Sequence, residues 1–202
     1  MLVWRGGKAE RMGTLILARL AAPFGMWETH APHPLPDTPD SMAAFHLDWQ
    51  QCRGSQAFPT ALGFTPQALQ GPAGNLALVD LRRGVEQARY LWAGPNLVKL
   101  YGASLTGRLL SQCYRGQALA DVRAAYQRML DQQGPVFSDR RFRIFGEKLG
   151  YHRLLLPLLD ERGKVGFAML LLLPKGNLKS SVDWRPYEIE LELAEALRSE
   201  SR

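Results

Sequence analysis

The stretch YLWAGPNLVKLYGASLTGRLL, residues 90–110, decides how this chain can fold. It opens with an apolar, aromatic-rich run suited to a β-strand, and Gly94-Pro95 breaks that strand. Asn96 can cap the next segment, where the apolar spacing predicts one or two helical turns. Thr106-Gly107-Arg108 marks a second break. A strand that leads directly into short helices and glycine-containing loops is typical of the mouth of a small α+β domain.

The segments around this stretch predict one antiparallel sheet with a helix lying across it. An almost continuously apolar run at 75–81 predicts a central strand, and 88–93 is its expected antiparallel partner. The clearest internal helix spans 118–133, where apolar residues recur at helical spacing. Three further strands are predicted at 136–145, 152–159 and 165–173.

The N-terminal segment, residues 1–40, holds five of the thirteen prolines and is predicted to be largely extended or disordered. Proline lacks a backbone donor and constrains its predecessor, so the run after Thr29 cannot sustain a helix or a central strand. Lys8 and Arg11 precede a short apolar run that resembles a secretory signal, but Arg19 interrupts it. The alternative interpretation is an upstream start codon, with Met12 as the native start.

Two amphipathic helices are predicted to flank the central domain, which we place at 56–175. The first, residues 41–55, carries an apolar stripe that either docks on this protein's own domain or packs on a second subunit. The second occupies 176–202 and has a wide apolar face. The residues assigned to a dimer interface are Met42, Phe45, Trp49, Leu191, Leu193 and Leu197.

The composition limits the classes of protein to which this chain can belong. At 202 residues with 46% hydrophobic content, the chain can bury an ordinary core in one domain with extensions. The formal charge is +6, but the basic residues are interleaved with acidic ones, which disfavours nucleic-acid binding. A solvated sheet face explains the densest basic patch about as well as a binding surface does; the patch comprises Arg140, Arg141 and Arg143, with Lys148 and Arg153 nearby.

Cysteine usage and hydropathy favour a reducing compartment. Cys52 and Cys113 lie far apart, without a CxxC motif or a flanking His pair, which excludes a zinc ribbon and a disulfide framework. The apolar runs are shorter than the ~20 residues that cross a bilayer. We therefore expect a cytoplasmic protein without a membrane span.

The order of elements and the sequence from Arg89 to Arg108 resemble the PAS family, above all bacterial proteins that consist of little more than one PAS domain. Further matches are Trp49 with Arg53-Gly54 and the run LLLPL at 154–158. The resemblance covers residues 41–175 and departs at Pro95, where such proteins usually carry Thr. It implies an α+β fold: a five-stranded antiparallel sheet with helices on one face, flanked by N- and C-terminal helices.

The resemblance also implies a site between sheet and helices. The candidate ligand-binding residues are Trp92, Asn96, Tyr101, Phe142 and His152, although core packing explains the aromatic ones equally well. Haem is argued against because the helix at 118–133 contains no histidine ligand. A photoactive flavin is argued against because Cys113 lacks the Asn-Cys-Arg-Phe-Leu-Gln-type turn of flavin photosensors. No metal site is predicted, and the cofactor stays unknown.

The predicted function is sensory or regulatory. The sequence contains no Gly-x-Ser-x-Gly, Walker or His-Glu-x-x-His motif, so we do not expect an enzyme. The resemblance implies a homodimeric PAS-like module of bacterial signal transduction, in which a small ligand biases interaction with an unidentified signalling protein. The alternative is a pure protein-interaction and dimerisation module without ligand, and the remote alternative is a small α+β enzyme.

Overall fold

The fold is built on a six-stranded antiparallel sheet with the strand order β1-β4-β5-β6-β2-β3. The structure is a computed structural model that describes residues 27–63, 73–101, 103–144 and 147–175. The strands are β1 (Trp27–Ala31), β2 (Leu76–Asp80), β3 (Arg89–Ala93), β4 (Val136–Ile144), β5 (Glu147–Leu159) and β6 (Val165–Lys175). Every neighbouring pair is antiparallel, so the predicted α+β fold with an antiparallel sheet is confirmed.

The prediction of five strands is wrong by one, because β1 lies inside the proline-rich segment. Trp27–Ala31 lies between Pro23 and Pro32, so the strand occupies a stretch without proline. Among the described strands it pairs with β4 alone, from Trp27 opposite Arg141 to Ala31 opposite Phe137. An edge strand tolerates prolines beside it because one of its sides needs no ladder hydrogen bonds.

Four helices accompany the sheet in the described residues: α1 (Asp40–Cys52), α2 (Pro95–Tyr101), α3 (Leu110–Cys113) and α4 (Gly116–Asp131). Helix α2 begins at Pro95, and proline is favoured at a first helical position because no donor is needed there. The preceding Gly94 lets the backbones touch, since a Cβ there would lie 2.4 Å from the Ala73 carbonyl oxygen. This contact fixes the strand-to-helix corner that the sequence predicted.

The two faces of the sheet carry separate apolar cores. The α4 face, which includes Val79, Leu155 and Leu170, packs against α2, α3 and α4. The α1 face, which includes Leu78 and Leu154, packs against α1 and contains the intervening positions of the same strands. Alternate residues of a strand point to opposite faces, so the sheet is covered on both sides.

The apolar stripe of α1 needs a correction, because it is used inside the chain. Met42, Phe45 and Trp49 are only 1%, 2% and 3% exposed, and all three pack on the α1 face. The Trp49 indole Nε1 also donates a hydrogen bond to the Pro157 carbonyl, 3.1 Å away. These three side chains therefore have almost no surface to offer a second subunit in this structure.

The remaining predicted interface residues, Leu191, Leu193 and Leu197, lie outside the described residues. Across the described ranges, no helix is both long enough and apolar enough to cross a lipid bilayer.

Candidate functional site

A chain of three tyrosine hydroxyls joins the α4 face of the sheet to the short helices. Tyr90 lies on β3, Tyr101 ends α2, and Tyr114 follows α3. The hydroxyl oxygens of Tyr90 and Tyr114 are 2.9 Å apart, and the Tyr114 hydroxyl donates to that of Tyr101. Burial raises the pKa of all three phenols above the ordinary value, so each keeps its proton at neutral pH.

The direction of these hydrogen bonds leaves one proton available. Each phenol has a single O–H donor. Because Tyr114 gives its proton to Tyr101, the hydrogen bond between Tyr90 and Tyr114 must be donated by Tyr90. The Tyr101 hydroxyl proton then has no acceptor among the described residues.

Two arginines lie beside this chain on the same face. Arg140 on β4 is 5% exposed and Arg153 on β5 is 4% exposed. Arginine is rarely buried unless it is paired, and each guanidinium has a carboxylate partner. Arg140 pairs with Asp121 of α4, and Arg153 pairs with Glu28 of β1.

The two guanidinium groups have different hydrogen-bond environments. Arg140 Nη1 donates to the Tyr151 hydroxyl at 3.1 Å; burial works against it, but Tyr151 and the nearby carboxylates raise the pKa of Arg140. Arg153 Nη2 donates to the Ser138 hydroxyl at 3.2 Å. Its Nε has no hydrogen-bond partner in the described part of the chain.

The alternation of β5 places Arg153 on the same face as Leu155, towards the helices. Burial raises the pKa of Tyr101 and of Tyr126, a residue of α4, and the positive charge of Arg153 opposes both shifts. Its charge therefore acts in the layer between sheet and helices. We call the group the tyrosine–arginine cluster; its members are Tyr90, Tyr101, Tyr114, Tyr126, Tyr151, Arg140 and Arg153.

The sequence did not identify most of this cluster, and it assigned two members wrongly. Arg140 and Arg153 were assigned to a basic patch, either a solvated sheet face or a binding surface, whereas both are buried. A signal was present: Ser138 and Arg140 follow Val136 at alternate positions, and Arg153 precedes Leu155, so they share the apolar α4 face. The acidic partners could not be found this way because they come from other elements.

The five predicted ligand-binding residues do not come together. Tyr101 belongs to the cluster, but Trp92 packs on the opposite, α1 face. A β-bulge in the β2–β3 pairing explains this: Leu78 pairs with Trp92 while Val79 pairs with Tyr90. The extra residue reverses the alternation of β3, which turns the indole away from the helices.

The other predicted residues are placed as follows. His152 shares the alternation of Leu154 and therefore faces α1 rather than α4. Asn96 on α2 donates to the Asn75 side chain at 2.7 Å, which ties the corner together instead of lining the cluster. Phe142 pairs with Leu149 in the β4–β5 ladder, and its side chain lies outside the described part.

A buried histidine lies between aromatic rings on the α1 face. The His46 ring stacks on Trp49 at 5.7 Å and meets the edge of Phe137 at 5.1 Å between centroids. Its Nε2 has no hydrogen-bond partner among the described residues. Burial lowers the pKa of His46, and burial together with Lys175 lowers that of His152, so both rings favour the neutral form.

A concave surface lies at the end of the sheet where β2 ends and β6 begins. It is a cleft of about 740 Å³. Its charged lining residues are Arg82, Arg83, Arg89, Arg162, Lys164, Asp80, Asp160 and Glu161. Burial works against the Asp80 carboxylate, but hydrogen bonds from Arg82 and the charge of Arg89 hold its pKa below the usual value. The cleft is therefore a mixed surface with an excess of positive groups.

Comparison with known proteins identifies the family to which this fold belongs. The model of a family described as PAS domain matches residues 37–172. Among solved structures, a light-oxygen-voltage domain studied with a flavin analogue is 13% identical, with a TM-score of 0.41 over 66% of this chain and 93% of that chain. The light-state dimer of the fungal blue-light photoreceptor Vivid is 15% identical, with a TM-score of 0.40 over 68% and 96%.

An RNA-binding light-oxygen-voltage receptor is 15% identical, with a TM-score of 0.38 over 89% of this chain and 44% of that chain. No curated protein matches the chain. The family model spans well over half of the sequence, and it covers α1, the sheet from β2 to β6 and all members of the tyrosine–arginine cluster. This protein therefore belongs to the PAS domain family, a family of sensory and regulatory modules.

Proposed function

We propose that this protein is a cytoplasmic sensory module of bacterial signal transduction, in which a small ligand biases contacts with a partner protein. The ligand is held at the tyrosine–arginine cluster, between the sheet and helices α2–α4. Partner contacts include those of a homodimer as well as those with a separate signalling protein. No catalytic step is part of this proposal.

The observation that carries the proposal is the polarity of the α4-face core. Burying polar groups costs free energy unless every donor and acceptor is satisfied. Here two arginines and three linked phenols are buried together, which supports binding of a polar molecule.

The ion pairs of the cluster support a route from ligand to partner. Glu28 belongs to the edge strand β1, and Asp121 belongs to α4. A ligand that changes either pair changes how firmly that element is attached to the sheet. It can shift the protein between two arrangements only by binding one of them more tightly.

Flavin photochemistry, suggested by the light-oxygen-voltage relatives, does not fit these residues. Phenol rings of the cluster occupy the layer between sheet and helices and hydrogen-bond to one another, so a planar tricyclic ring would have to displace them. Burial also raises the pKa of Cys113, which disfavours the reactive thiolate. We therefore base no step on a flavin.

A pure interaction module without ligand is the second candidate, and the filled α4-face layer favours it. In that case the phenols are structural, and the cleft of about 740 Å³ is the surface that contacts a partner. A small enzyme is the remote third candidate. Both carboxylates of the cluster are paired with arginines, an arrangement more typical of structural ion pairs than of a general base.

Native mass spectrometry of the purified protein distinguishes these candidates. Our proposal expects a retained small molecule, lost on denaturation, and a dimer that exchanges with monomer. A variant with Tyr114→Phe, which breaks the hydroxyl chain with little change in volume, should reduce the retained fraction. If no molecule is retained and the extract of the native protein contains none, the interaction module becomes the better description.

A further inference from the structure

Two hydrogen-bond donors on the α4 face have no acceptor among the described residues. Arg153 Nε has no hydrogen-bond partner among the described residues, and the proton of the Tyr101 hydroxyl has no acceptor there. Arg153 shares the alternation of Leu155 on β5, and Tyr101 packs on the same apolar core, so both donors lie on the same face of the sheet. Because buried donors are costly when unsatisfied, the buried Nε of Arg153 in particular needs an acceptor.

The charge of the cluster decides which acceptor fits. Two guanidinium groups are balanced by two carboxylates, Glu28 and Asp121. A phosphate with two negative charges would need further cations, whereas a carboxylate can replace one that is already present. Arginine also binds carboxylates with two parallel hydrogen bonds, using Nε and one Nη. Glu28 accepts from Nη2 of Arg153, and Nε of the same guanidinium has no partner among the described residues. The two-bond arrangement is therefore incomplete.

Glu28 is the replaceable member of its pair. Its side chain is 20% exposed, against 5% for Arg153. It also lies on β1, the edge strand of the sheet as the described residues form it. Asp121 is held more firmly, because Gln117 of the same helix donates to its second oxygen at 2.7 Å.

We propose that the ligand is a small carboxylate that takes both Nε and Nη2 of Arg153, accepts from the Tyr101 hydroxyl, and displaces Glu28. Ligand binding then releases the side-chain anchor of β1. The inference rests on the proposed function and specifies its ligand class and its coupling. The element that responds to ligand binding is the edge strand β1, which lies at the opposite side of the sheet from the cleft beside β2.

Chemical rescue tests the site without knowledge of the natural ligand. In Glu28→Ala, Arg153 loses its carboxylate, and we expect the unfolding midpoint to fall by roughly 4–8 °C. Sodium acetate should restore at least half of that loss, whereas acetamide and equal sodium chloride should not. The matched control is Glu86→Ala, which removes the exposed partner of Arg123 and should show no rescue by acetate.

Two further measurements keep the test decisive if Glu28→Ala folds poorly. In Glu28→Gln, which keeps the side-chain size, acetate should bind at least threefold tighter than in the wild type by calorimetry. Adding Arg153→Lys to either variant should abolish the acetate effect. In the wild-type protein, saturating acetate should speed amide hydrogen exchange in β1, and acetamide should not.

Each result has a defined meaning. Acetate acting no better than chloride or acetamide overturns the carboxylate site, and unchanged exchange in β1 overturns the displacement of Glu28. If mass spectrometry shows a retained neutral molecule while acetate has no effect, the inference fails and the proposed sensory function stands. If nothing is retained and acetate has no effect, both fail.

Discussion

Replacing Asp121 with Asn tests whether the ion pair between α4 and β4 holds the helix layer on the sheet. The change keeps the size of the side chain and removes its charge. Asp121 pairs with Arg140 through one oxygen and accepts from Gln117 through the other. The substitution therefore removes one of the two carboxylates that act on the buried Arg140, since the charge of Glu28 acts on it as well.

The contacts set the size of the effect. Removing one partner of a buried ion pair typically costs about 3–5 kcal/mol. The Asp121 side chain is 17% exposed, and Arg140 keeps the Tyr151 hydroxyl at 3.1 Å, so we expect the low end, about 3 kcal/mol. For a chain of this length, that corresponds to a fall of about 6–12 °C in the unfolding midpoint.

Urea denaturation followed by far-ultraviolet circular dichroism measures this loss. Asp131→Asn is the matched control, since Asp131 accepts a similar hydrogen bond from Gln127 at 2.8 Å but is exposed on the same helix. The control should change the free energy of unfolding by less than about 0.5 kcal/mol. A loss below about 1 kcal/mol for Asp121→Asn, or equal losses in both variants, would refute the reasoning.

Three further predictions concern the corner, helix α1 and pH. Gly94→Ala should destabilise the protein strongly, because its Cβ would lie 2.4 Å from a backbone carbonyl oxygen; thermal unfolding measures this. Trp49→Ala should cost about 3–5 kcal/mol in urea denaturation without changing subunit number, since the indole packs on its own sheet and bonds to Pro157. Stability should decrease as pH falls below about 6.5, the ordinary pKa of histidine, because burial lowers the folded-state pKa of His46 and the unfolded chain then binds protons more readily. His46→Phe should flatten that slope in unfolding experiments from pH 7.5 to 5.

Each of these has a result that contradicts it. Gly134→Ala, where the nearest atom is 3.6 Å from the added Cβ, should be tolerated, so equal losses at both glycines argue against the steric explanation. A dimer that dissociates in Trp49→Ala would return the stripe to the subunit interface. An unchanged pH slope in His46→Phe would assign the acid sensitivity to other groups, of which His152 is the first to test.

Periodicity predicted the elements well where one pattern dominates. The apolar run of β2 and the spaced apolar residues of α4 gave the correct element types and the antiparallel β2–β3 pair. The motif from Arg89 to Arg108 was enough to indicate the PAS family, which the family model confirms. These features are local, because a short stretch of consecutive residues is enough to determine each of them.

The site was harder to predict because it depends on contacts between distant elements. Arg153 and Glu28 are separated by 125 positions, so no local pattern shows that this arginine is neutralised and buried. Trp92 was misplaced because one bulge reverses the alternation of β3. The stripe of α1 could not by itself distinguish a subunit interface from a contact with its own sheet.

Coverage of both sheet faces restricts how a second molecule can approach the described part of this protein. Helix α1 screens one broad side and helices α2–α4 screen the other. What stays accessible is the rim: the outer border of β1, the strand ends and the connecting turns. We therefore expect partner molecules to contact this domain at its perimeter rather than on either face of the sheet.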